Sequence, residues 1–166
     1  MLMPAMAGSN QVLVVEDDSN ALSGYLEFLS AAGFDPTGVS NGAEALPIAL
    51  RHPPAAVVTD ITLPGMSGFD LAAALHCDMR TRHVPVIGLT AHWSPDIRAR
   101  AVDVAMQAIL VKPCLPSHLV AELERVLEHA KAGQRFNPPR RPVKMSSISA
   151  TEKRSSQGNR ASAGRR

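Results

Sequence analysis

Residues 55–68 read AAVVTDITLPGMSG, and this stretch decides the fold. Ala55–Asp60 is an unbroken apolar run that stops abruptly at an acid. A strand with one wet face would alternate, so a continuous run reads as a strand covered on both faces, as in a parallel sheet. The Pro/Gly loop Ile61–Gly68 follows, and then a helix near Phe69–Leu75. Gln11–Asp17 (QVLVVED) repeats the pattern of apolar run and terminal carboxylate. Val84–Thr90 (VPVIGLT) and Ala108–Lys112 (AILVK) are the other buried runs. Phe34–Val39 is weaker, and its Pro36 suits an edge strand because proline donates nothing to a ladder.

Helices fill the intervals. Asp18–Ser19–Asn20 offers capping residues ahead of Leu22, Tyr25, Leu26 and Leu29, which recur at helical spacing until Gly33. Ser40 or Asn41 starts a helix running to about Arg51, with Pro47 inside it as an expected kink. Asp96–Val104 and Pro116–Ala132 complete the set, the last presenting Leu119, Leu123, Val126 and Leu127 on one face. Strands alternating with helices predict an α/β protein with a parallel sheet clad on both sides.

The chain has 166 residues, enough for one domain and an appendage. Aromatic residues are only 4% against 45% hydrophobic overall, so the core must be aliphatic. No apolar run approaches the ~20 residues of a membrane span, and Met1–Asn10 has no signal-peptide pattern. Cys77 and Cys114 are too few for a disulfide framework or zinc site and read as inert small residues in a reducing cytoplasm. The net charge of +2 hides an asymmetry: residues 1–131 hold 8 Lys+Arg against 14 Asp+Glu, and residues 132–166 hold 9 against 1. Residues 1–9 are expected to be a flexible lead and 10–132 the folded domain. The proline-, serine- and arginine-rich 133–166 reads as a disordered basic tail. Its readings are a solubility device, a sequence-independent contact to nucleic acid or an acidic partner, or a linker to a further domain.

Open α/β sheets bind ligands beyond the carboxyl ends of their strands. Those ends carry Glu16 and Asp17, Asp60, Thr90 and Lys112. In a flavodoxin-like order 2-1-3-4-5, strands one and three are neighbours, and Asp17 and Asp60 face each other with Glu16 nearby. Three carboxylates in one crevice repel one another, which a hard divalent cation relieves. Mg²⁺ suits oxygen ligands and keeps its waters, with Mn²⁺ an acceptable substitute. Adding the Lys112 charge and the Thr90 hydroxyl gives a site suited to a transferring phosphoryl group, with a carboxylate as nucleophile.

The acidic VLVVEDD, Asp60 in VVTDITLPGMSG, Thr90 in GLTA and Lys112–Pro113 in ILVKP together resemble the receiver domains of two-component response regulators, over roughly residues 10–131. The resemblance implies a flavodoxin-like (βα)5 fold with a five-stranded parallel sheet. It makes Asp60 the phosphoacceptor for a phosphohistidine on a sensor histidine kinase or histidine phosphotransfer protein. It assigns Asp17, Glu16, Asp60 and the backbone carbonyl of Thr62 to the metal. Thr90 becomes the switch hydroxyl, Lys112 the phosphoryl-pairing lysine, and Lys112–Pro113 a cis peptide bond. The output would be a protein partner reading the fourth helix, fifth strand and fifth helix, with no turnover enzyme involved.

Some positions depart from the family. Ile109 stands where an aromatic switch residue is usual, Ala105–Met106 replaces a Gly-Ala pair, and His92 lies where the family tunes dephosphorylation. The Ile109 departure raises the alternative of a degenerate receiver acting as an unphosphorylated scaffold. A dehalogenase-like phosphatase would want a second Asp where Thr62 stands, and a flavodoxin would not place acids in its phosphate loop.

Overall fold

The computed structural model describes residues 10–133. Five strands, β1 (Gln11–Val15), β2 (Asp35–Val39), β3 (Ala56–Asp60), β4 (Val86–Thr90) and β5 (Ala108–Val111), alternate with five helices. The helices are α1 (Ser19–Ala31), α2 (Gly42–Arg51), α3 (Gly68–Cys77), α4 (Pro95–Asp103) and α5 (Pro116–Lys131). The strands form one parallel sheet in the order β2-β1-β3-β4-β5. This is the flavodoxin-like (βα)5 fold expected from the sequence. The readings of an N-terminal lead over 1–9 and of a disordered basic tail over 133–166 lie outside the described residues, Gly133 apart.

Successive side chains of a strand point to opposite faces, and here both faces are covered. Leu13, Val15 and Val57 join a core with Ala45 and Ala49 of α2, Leu71, Ala72 and Leu75 of α3, and Ala101 of α4. Val12, Val14 and Val58 join the opposite core with Leu29 of α1 and Leu119, Leu123 and Val126 of α5. The unbroken apolar runs thus arise because every other residue faces a different helix layer.

The helix starts are fixed by side chains that accept from otherwise unpartnered backbone amides. Asp18 accepts from Ala21 at 2.7 Å, and Asn41 accepts from Glu44 at 2.9 Å. Ser67 and Asp70 form a reciprocal capping box, and Ser94 caps α4. Gly33, at φ +93°, ends α1 in a conformation other residues resist. α2 continues through Pro47 to Arg51.

Several boundaries differ from the sequence reading. β4 begins at Val86, because Pro85 has no amide to donate, although its carbonyl still accepts from Val57 at 2.9 Å. α3 extends at both ends of Phe69–Leu75, its capping box having set the start before Phe69.

Gly68, the first residue of α3, lies against the end of β3. A Cβ there would sit 2.4 Å from the Asp60 carbonyl oxygen and 2.9 Å from Ile61 Cα. Both are backbone atoms, so no side-chain rotation relieves the clash. Gly68→Ala is expected to lower stability by about 1–3 kcal/mol, the usual cost of overpacking, as read from urea unfolding midpoints.

Candidate functional site

The parallel order brings the carboxyl ends of β1 and β3 side by side, with Val15 in register with Thr59. Glu16 and Asp17 follow β1 directly and Asp60 closes β3. One carboxylate oxygen from each of the three lies within 4.8 Å of the others. Glu16 is 1% exposed and Asp60 8%, whereas Asp17 is open to solvent. A hard cation with oxygen ligands fits this donor set, two carboxylates being buried and one open to solvent, and Mg²⁺ would ask for only one or two of them.

Lys112, immediately after β5, reaches across the sheet edge into the same crevice. Its Nζ donates to Glu16 Oε2 at 2.6 Å and to Asp60 Oδ2 at 2.7 Å. The second oxygens also have partners: Asp18 N–H donates to Glu16 Oε1 at 3.1 Å, and Thr62 N–H to Asp60 Oδ1 at 2.8 Å. Partial burial opposes the lysine charge, but hydrogen bonds to Asp60 and Glu16 outweigh it and hold the Lys112 pKa above the ordinary lysine range. The Lys112–Pro113 peptide bond is cis.

Thr90 closes β4 and is 3% exposed. Its hydroxyl donates to the His92 carbonyl at 2.8 Å and accepts from the His92 amide at 3.2 Å. It is therefore committed to its own loop, through His92, which lies two residues before the Ser94 cap of α4. Half-buried Trp93, between them, packs on the core cluster that also contains Ile109. Ile109 is 3% exposed and in register with Gly88 of β4. Ala105 takes a left-handed φ of +56°, and buried Met106 places its sulfur 3.1 Å from where a Gly88 Cβ would be. The Ala105–Met106 departure is thus accommodated by a strained turn and by a hollow that glycine leaves in β4.

Glu16, Asp17, Asp60 and Lys112 converge, while Asp18 serves as the α1 cap. Sequence reading placed Tyr25 simply on the core face of α1. Burial raises its phenol pKa, and the ring packs on the core cluster that Cys114 also joins. Burial also raises the Cys114 thiol pKa, with Lys112 opposing, the direction that disfavours the thiolate.

The chain is thus a doubly clad parallel α/β sheet with a lysine-bridged carboxylate pocket at its switch point. The family profile described as response regulator receiver domain matches residues 12–124. The chain belongs to that family, the phosphorylation-based signalling domains of two-component systems. Among curated relatives, the transcriptional regulatory protein PrrA of Mycobacterium tuberculosis is 36% identical over 119 residues, covering 72% of this chain and 50% of PrrA. The chain spans about half the length of PrrA and of the other transcriptional regulators it matches. The chemotaxis protein CheY4 of Vibrio cholerae superposes with a TM-score of 0.68 at 28% identity, over 70% of this chain and 97% of CheY4. The receiver domain of sensor histidine kinase PA1611 from Pseudomonas aeruginosa gives a TM-score of 0.66 at 27% identity, over 71% and 97%. That structure has a magnesium ion coordinated in the active-site cleft. Among the described residues, no helix is long and apolar enough to cross a membrane.

Removing the Lys112 ammonium leaves two carboxylates facing each other, one of them fully buried. Breaking a buried ion pair costs about 3–5 kcal/mol, and the lysine side chain is 23% exposed. Lys112→Ala is therefore expected to lose a smaller amount, about 2–3 kcal/mol, and to regain part of it on adding millimolar Mg²⁺, as measured by thermal unfolding with and without the ion.

Proposed function

We propose that Asp60 accepts a phosphoryl group from the phosphohistidine of a sensor histidine kinase or histidine phosphotransfer protein. The observation that carries this reading is the convergence of Asp60 and Glu16 on Lys112 Nζ, with Asp17 close enough to share a cation with both. An Asp60 carboxylate oxygen attacks phosphorus in line with the breaking P–N bond, whose electron pair returns to the donor imidazole. Lys112, already within hydrogen-bond distance of Asp60, would pair with an oxygen of the incoming phosphoryl group. Glu16, Asp17, Asp60 and the Thr62 backbone carbonyl would hold Mg²⁺. When bound, the ion neutralises charge on the phosphoryl oxygens. The Thr62 amide, donating to Asp60 Oδ1, orients the carboxylate and leaves its other oxygen facing Lys112.

Thr90 is the proposed switch residue. For its hydroxyl to donate to a phosphoryl oxygen, the proton must leave the His92 carbonyl, which frees the loop that carries Trp93 and leads into α4. Ile109 is aliphatic and packed in the core, so the change would pass through this loop rather than through rotation of a β5 side chain. A partner would read the face of α4, β5 and α5, where Val102 and Leu115 are exposed apolar residues. The domain acts in this reading as a self-phosphorylating and self-dephosphorylating switch. Ile109 is the residue that prompts the scaffold alternative, and the convergence of the carboxylates with the lysine weighs against it. A nucleic-acid contact through the basic tail rests on residues outside those described.

Incubation with acetyl phosphate and Mg²⁺ should add one phosphoryl group by intact mass, and neither omission of Mg²⁺ nor Asp60→Asn should permit it. Label that persists in either control removes Asp60 as the metal-dependent acceptor. Trp93 is the only tryptophan, so its emission should change on phosphorylation. In Thr90→Ala the label should still form while the emission change is lost.

A further inference from the structure

His76 lies on α3, and both of its ring nitrogens meet backbone carbonyl oxygens of other elements. Nδ1 is 2.8 Å from the oxygen of Val104, the C-cap residue of α4, and Nε2 is 3.1 Å from the oxygen of Val84, just before β4. A carbonyl oxygen only accepts, so each contact requires an N–H on that nitrogen. A neutral imidazole has one N–H, and an imidazolium has two. We propose that His76 is a proton-operated clamp: the imidazolium ties α3 to both the α4–β5 turn and the start of β4, and the neutral ring releases one of them.

The position gives that choice mechanical consequences. The last carbonyls of a helix lack intrahelical donors, and a cation at that end is favoured by the helix dipole. The residue after Val104 is Ala105, held at a left-handed φ of +56°, and the next is the buried Met106. The clamp therefore holds the carbonyl directly before a strained turn. α4 has a second tie to α3, since the Arg100 guanidinium lies 4.3 Å from the centroid of the Phe69 ring. The arginine tie keeps its charge across the physiological range, whereas the histidine tie changes with pH.

The charged groups on the surrounding elements do not replace it. Asp78, at the C-cap of α3, is bound by Arg80 at 2.8 Å. Asp103 adjoins Val104 on α4, and Arg82 and His83 precede Val84. Both of the His76 ring hydrogen bonds go to the two carbonyls, not to these groups.

The test compares the full chain with His76→Gln at about pH 5.5 and about pH 8.5, either side of the ordinary imidazole range of about 6.5. The clamp binds a proton in the folded state, so its stabilisation is present at the lower pH and lost as pH rises. The difference in thermal midpoint between wild type and His76→Gln should be larger at the lower pH and shrink at the higher, a double difference that cancels the other histidines. In the wild type, ¹⁵N spectra should show both His76 ring nitrogens protonated at the lower pH and one at the higher. Amide exchange at Ala105 and Met106 should be faster than intrinsic pH dependence predicts at the higher pH. A ring carrying one proton at both pH values, or a midpoint difference that does not vary with pH, overturns the proposal.

Discussion

The site depends on one ammonium held between two carboxylates. Glu16 is almost wholly buried at the end of β1, and Asp60 nearly so at the end of β3. Two anions at adjacent strand ends would push the sheet apart at the switch point, where the strand order reverses. Lys112 hydrogen-bonds both and sets a positive charge between them. The arrangement depends on β5 lying two strands from β3, so that a side chain following it spans the sheet edge. Strand order, acid placement and lysine reach are therefore a single constraint. The flavodoxin-like order meets it because all three residues stand at carboxyl ends.

Much of this was legible in the sequence because the strands are short and covered on both faces. Continuous apolar runs ending in Asp17, Asp60, Thr90 and Lys112 marked both the strands and the edge where chemistry gathers. The strand order itself does not follow from periodicity, and came from the switch-point rule together with the family resemblance. Helix starts were partly visible: Asp18 and Asn41 cap as their types suggest, while the Ser67–Asp70 box begins α3 before its apolar residues do. β4 begins late for a local reason, the missing amide of Pro85.

Contacts between residues far apart on different helices could not be read. Tyr25 joins the core cluster that Cys114 also joins, and its spacing on α1 matches that of an ordinary core residue. His76 meets carbonyls 28 and 8 residues away, and no pattern in α3 distinguishes it from a surface histidine. The Ala105–Met106 pair was recognisable as unusual, but its accommodation needs the hollow over Gly88. That hollow exists only once β4 and β5 are paired. Short-range chemistry writes itself into spacing, and tertiary complementarity does not.

The hydroxyl at the end of β4 has a thermodynamic consequence. Because Thr90 already both donates to and accepts from His92, any new acceptor must compete with an existing bond rather than fill a vacancy. The net free energy of such an exchange is the difference between the bond gained and the bond to the His92 carbonyl that is lost, the latter on the order of 1 kcal/mol. A competing acceptor therefore shifts this hydroxyl only by as much as it binds the released arrangement better than the one held by His92.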